Sequence, residues 1–189
     1  TQKPMPQPLK FLLRKTTLLF SLGALLVTLA ACVMSSTPMA AASSGGAALA
    51  PAATDSLLRQ AKTRIREATD KGSVDSLKQA RALAERATSG SQHAALAHYY
   101  VALADYRMTN QLPEDDETRR KQVLDDAVSH LKRATTMDAK LADAWALLAG
   151  CYGQMMGLNP MQGMSLGRKS SEAMEKAKNL EPKNPRVWM

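Results

Sequence analysis

The stretch that decides the fold is "ADAWALLAGCYGQMM", residues 142–156. Trp145, Leu148, Ala149 and Tyr152 stand three and four residues apart, the spacing of one helix face. Working outward, the same periodicity continues through "PEDDETRRKQVLDDAVSHLKRATTM" before it and "SLGRKSSEAMEKAKNL" after it. Further upstream lies "HAALAHYYVALADYRM". Before that come two stripes, Leu58-Ala61-Ile65-Ala68 closed by Gly72, and Val74-Leu77-Ala80-Ala84-Ala87 closed by Gly90. Alternating Val/Ile/Thr-rich runs are absent, so nothing reads as a strand. The chain is expected to be all-α from Asp55 onward, its helices joined by short connections and therefore antiparallel to their neighbours.

The formal charge of +8 over 189 residues overstates how basic the helical part is. Lys3, Lys10, Arg14 and Lys15 precede residue 16, and no acid occurs before Asp55. Beyond them, 21 basic and 17 acidic residues are well mixed. A nucleic-acid footprint should cluster its cations on one side, so nucleic acid is not expected as a partner.

The early cations are followed by "TTLLFSLGALLVTLAA", residues 16–31, apolar and uncharged. Sixteen residues fall short of the roughly 20 that span a bilayer as a helix. A basic start, an apolar run and small residues after it describe a secretory signal peptide, residues 1–31, which implies export. Leu29-Ala30-Ala31-Cys32 resembles the lipobox of bacterial lipoproteins, and it sits at the end of the apolar run. The resemblance implies lipid attachment at Cys32 and a periplasmic protein anchored to the outer membrane; Val33 follows where an inner-membrane retention signal would place Asp. Cleavage after Ala42 is the alternative and would discard Cys32. Residues 32–54 are largely Ser, Ala, Gly and Pro without charge, the composition of a flexible tether.

The helical part, residues 55–189, resembles the tetratricopeptide repeat. Trp145, Leu148, Ala149 and Tyr152 are similar to that family's first helix, and Ser170, Met174, Ala177 and Pro182 to its second. Ala127, Leu131 and Ala134 fill the second-helix positions one unit earlier, with Ala139 in place of the proline. Tyr99, Tyr100, Leu103, Ala104 and Tyr106 open that unit. Tyr100 to Trp145 is 45 residues and Trp145 to Trp188 is 43, against a family period of about 34. The extra residues are expected between the two helices of each unit, around "TNQLPEDDETRRKQ" and "GLNPMQGMSLG". Asn184, Pro185 and Trp188 read as the opening of another unit, which implies that further repeats follow. The resemblance implies helix pairs stacked as an α-solenoid whose first helices line a concave, partner-binding face. On that basis His98, Val101 and Asp105 would line it from one unit, and Asp143, Ala146, Gly150 and Gln154 from the next. The implied partner is a protein or peptide of the cell envelope. The alternative is a helical support for an enzyme or metal-handling part outside this chain.

No residue set points to catalysis, a cofactor or a metal. "GMSLG", residues 163–167, matches the G-x-S-x-G elbow with Ser165 as nucleophile. That chemistry needs a preceding strand and a downstream Asp and His, and neither Asp nor His follows Ser165. His93 and His98 have the wrong spacing for an H-E-x-x-H pair, and His130 lies on a mixed-charge helix. Cys151 reads as a small buried residue. Residues 114–117, "EDDE", read as negative charge for a helix start. Met155, Met156, Met161 and Met164 suit soft-metal binding but equally suit irregular helix packing.

Overall fold

The computed structural model describes residues 49–90 and 92–188, all within a unit that spans Ser44–Met189. Residues 1–31, expected to be a signal peptide, Cys32 and the expected tether up to residue 48 lie outside the described residues. Among the described residues the chain is all-α, with no strand. Seven helices follow one another: α1 (Pro51–Asp70), α2 (Val74–Ala87), α3 (Ala94–Thr109), α4 (Glu117–Met137), α5 (Ala142–Leu158), α6 (Gly163–Leu180) and α7 (Pro185–Trp188). No described helix is long and apolar enough to cross a membrane.

Local chemistry sets the helix ends. Pro51 opens α1 at a position whose N–H would have no helical partner. The helix therefore starts four residues before Asp55, inside the segment expected to be tether, and Leu49 packs beside Leu57 and Leu58. At the other end Gly72 takes φ +64, and the Ser73 N–H reaches back to the Ala68 carbonyl. That left-handed cap suits glycine. Ser73 then caps α2 by accepting from the Ser76 N–H at 3.2 Å. Asp116 caps α4 through the Arg119 N–H at 3.2 Å, and Glu117 follows in the first turn. Asn184 accepts from the Arg186 N–H at 3.0 Å and opens α7 ahead of Pro185.

Of the first stretch expected between paired helices, residues 110–116 do join α3 to α4 and 117–122 already belong to α4. "GMSLG" is not a loop: Pro160–Gln162 form a 3-10 turn that runs directly into α6 at Gly163. Proline's fixed φ favours a turn of helix here. α4 is 21 residues long and α6 18.

The interior is built from alanine as much as leucine. Ala61, Ala80, Ala84, Ala87, Ala97 and Ala104 are wholly buried where α1, α2 and α3 meet. Leu124, Leu131, Leu148, Tyr99 and Tyr152 fill the space among α3, α4 and α5. Small side chains let helix axes approach, and larger ones fill what is left between them. Each helix packs on the next in sequence. In addition the backbone of α1 approaches that of α3, α3 that of α5 and α5 that of α7, whereas the backbones of α2 and α4, and of α4 and α6, stand further apart.

Candidate functional site: the face of α1, α3 and α5

α3 sits among α1, α2, α4 and α5, and this decides which of its residues remain open. Ala97, His98, Val101, Ala102, Ala104, Asp105 and Met108 are buried, while Leu96, Tyr100, Leu103 and Tyr106 are half-buried and Arg107 is exposed. The open stripe is thus Leu96-Tyr100-Leu103-Arg107, at helical spacing. The expected set is on the other sides of the helix: Val101 is 0%, Asp105 2% and His98 5% exposed. These three are core residues and do not line an open face.

Their burial has its own chemistry. Arg81 of α2 donates from Nε to Asp105 Oδ1 at 2.8 Å and from Nη1 to Glu85 Oε2 at 2.8 Å. Asp105 Oδ2 has no hydrogen-bond partner. Burial pushes the Asp105 carboxyl up to about 7, with the Arg81 guanidinium pulling the other way. His98 Nδ1 lies 2.9 Å from His130 Nδ1 of α4, and the rings tilt by 44° with centroids 5.1 Å apart. One ring must donate and the other accept. Burial lowers both histidines, assisted by Arg133 at His98 and by His98, Arg81 and Arg133 at His130.

On α5 the expected row does share one face, but its members are engaged within the chain. Asp143 accepts from Asn184 Nδ2 at 3.0 Å and from Arg186 Nη1 at 3.0 Å, tying α5 to α7. A Cβ at Gly150 would meet Tyr106 of α3 at 3.5 Å, so that tyrosine, and no partner's backbone, occupies the approach. Gln154 Nε2 donates to Asn110 Oδ1 at 2.6 Å. Ala146 is half-buried beside Ala142, Ala177 and Val187. Trp145, the aromatic of the motif, donates from Nε1 to the Ala139 carbonyl at 3.0 Å, with Lys176 Nζ 4.3 Å from the ring centroid.

What stays open on this side is a groove of about 230 Å³ between α1 and the start of α3. Leu58, Leu96 and Tyr100 form its floor, and Arg59 and Lys62 stand on the α1 rim. His93, at φ 62, closes one end with Nε2 3.6 Å from Asp55 Oδ1. Histidine tolerates the left-handed region better than most side chains but remains uncommon there. Periodicity alone did not find this groove. The signal that could have found it is the row of cations at 59, 62 and 66 beside the Leu96–Tyr100 pair.

The residues considered for chemistry are apart. Ser165 is exposed in the first turn of α6 behind a 3-10 turn, without the strand a nucleophile elbow requires. Cys151 is buried, and burial pushes its thiol up to about 12. Met161 and Met164 point to solvent, whereas Met155 and Met156 pack partly into the core. Among the described residues no three His, Cys, Asp or Glu side chains converge as a metal site.

No protein family, curated protein or solved structure was found to match the chain.

Proposed function

We propose that this chain is an exported, lipid-anchored helical-repeat scaffold of tetratricopeptide-like type, holding another cell-envelope protein or peptide on the face of α1, α3 and α5. The observation that carries the reading is the contact order. The backbones of α1, α3, α5 and α7 come close in series while those of α2, α4 and α6 stay further apart, which is the relation expected when helix pairs stack and curve toward their first helices. Leu148, Ala149 and Tyr152 lie in the core shared by α3, α4, α5 and α6, and Trp145 packs partly against it, which supports reading them as repeat-like positions. The binding face is carried by Leu96, Tyr100 and Leu103 of α3, half-buried and flanked by α1 cations, in place of His98, Val101 and Asp105. Attachment to the membrane rests on Leu29–Cys32 and on the apolar run before it.

The test uses the full gene product in its native envelope, with a photo-crosslinking residue at Leu96 or Leu103 and, as controls, at the exposed Lys78 of α2 or Lys132 of α4. The same envelope protein should crosslink from both α3 positions and from neither control. In parallel, Cys32→Ala should move the protein to the soluble fraction. Equal crosslinking from α2 and α4, or none from a folded chain, would remove the scaffold reading.

A further inference from the structure

We infer that the groove between α1 and α3 takes an acidic peptide segment, its carboxylates against Arg59 and Lys62 and an aliphatic or aromatic side chain on Leu58, Leu96 and Tyr100. This rests on the scaffold reading and names the chemistry of what that face would hold.

Charge on this face is unbalanced. Arg59 and Lys62 are exposed and have no ion pair among the described residues. Arg66 continues their row at helical spacing, and Arg107 extends the α3 stripe; both are exposed and also lack an ion pair. Asp55, beside His93, is the one acid in the groove lining, so two cations face one carboxylate there; Asp70 ends the α1 row beyond Arg66, and Asp143 is held by Arg186 and Asn184. A groove with net positive rims favours a partner of opposite sign and disfavours a basic one. The floor adds a second requirement. Leu58, Leu96 and Tyr100 offer apolar surface that a purely hydrophilic acidic run would leave uncovered.

The larger groove on the other side of α1, about 560 Å³, fits less well. It shares Arg59 with the smaller groove and adds Arg64 and Lys71 against Glu67, so charge does not disfavour it; the difference is that Ala68 is its only apolar side chain. It has no floor to hold an apolar group, and it supplies the control.

The probe is a fluorescein-labelled hexapeptide, Glu-Glu-Leu-Phe-Glu-Glu, with a counterpart in which every Glu is Gln. Titrated into the full chain at low salt, the acidic peptide should bind at least tenfold more tightly than the glutamine peptide. Raising salt should reduce that advantage, because exposed pairs are screened. Arg59→Glu with Lys62→Glu should abolish binding, whereas Arg64→Glu with Lys71→Glu, an equal change in net charge, should leave it within about twofold. Helical content by circular dichroism establishes that both variants fold. Equal binding of the two peptides, equal loss in the two double variants, or no binding at millimolar peptide would overturn the inference. Should the Arg59→Glu/Lys62→Glu chain still crosslink its envelope partner from Leu96, the scaffold reading stands and this one falls.

Discussion

His98 and His130 meet through like nitrogens, so the pair is satisfied only while at least one ring keeps a bare Nδ1. Arg81 and Glu85 face it from α2 and Arg133 from α4, and the cations oppose a further proton. Both folded values lie below the ordinary histidine value of about 6.5. The unfolded chain therefore binds protons first on acidification. The stability these rings contribute is fully present above about pH 6.5 and is lost as pH falls through their lowered folded values. Asp105 acts oppositely, because its raised carboxyl favours the folded state as pH drops below about 7. We expect His98→Leu with His130→Leu to flatten the fall in melting temperature between about pH 7 and pH 5 relative to the parent. Asp105 is common to both proteins and cancels in the comparison; parallel pH profiles would remove the pair as the cause. None of this could be read from residue spacing. "AALAHYYVALADYRMT" is apolar almost all round, so it has no polar face to fix its rotation. His98, Val101 and Asp105 looked like one side of a helix, which they are, but the fold packs that side inward because α3 is surrounded by four other helices.

At the scale of elements the sequence was far more informative. Stripes ending at Gly72 and near Gly90 and the Asn184-Pro185 start appear where the residues place them. Three boundaries were missed, the first being α4, which begins at Glu117 and not just after Pro113 because Glu114 and Asp115 form a turn before the Asp116 cap. Pro51 extended α1 into a segment whose composition resembles a linker, and from Pro160 the stretch expected to separate two helices forms a 3-10 turn that runs into α6. Two glycines show how closely these elements approach. Gly90, between α2 and α3, is buried against Thr54 of α1. A Cβ there would collide with Thr54 Oγ1 and come within 3.0 Å of its Cγ2. Gly150 inside α5 would present its Cβ to Tyr106 at ordinary contact distance. We expect Gly90→Ala to cost about 1–3 kcal/mol through overpacking. Gly150→Ala should stabilise the chain by up to about 1 kcal/mol through helix propensity. Urea unfolding of the two variants decides it. A destabilising Gly150→Ala would mean that α3 and α5 stand closer than described, and a neutral Gly90→Ala that α1 and the α2–α3 turn stand further apart.

At the scale of the molecule, the all-α class was legible because every apolar stripe from residue 57 onward repeats at helical spacing. The aromatic-Leu-Ala-Tyr pattern marked residues that do pack between helices, Tyr152 buried and Trp145 half-buried. The open face was not legible. It depends on which side of α3 the neighbouring helices cover, and on Asp143 being spent on α7. The functional proposal depends on the rotation of α3 more than on any other feature. Cysteine accessibility along that helix tests it most directly, in a Cys32→Ala chain whose remaining thiol, Cys151, is buried. Single cysteines at Leu96, Arg107, Val101 and Ala104 would be labelled with a maleimide under native conditions. The account predicts rapid labelling at 96 and 107, and labelling at 101 and 104 only when the chain unfolds. Fast reaction at 101 with protection at 96 would contradict it, and would return the partner-binding face to the side that carries His98 and Asp105.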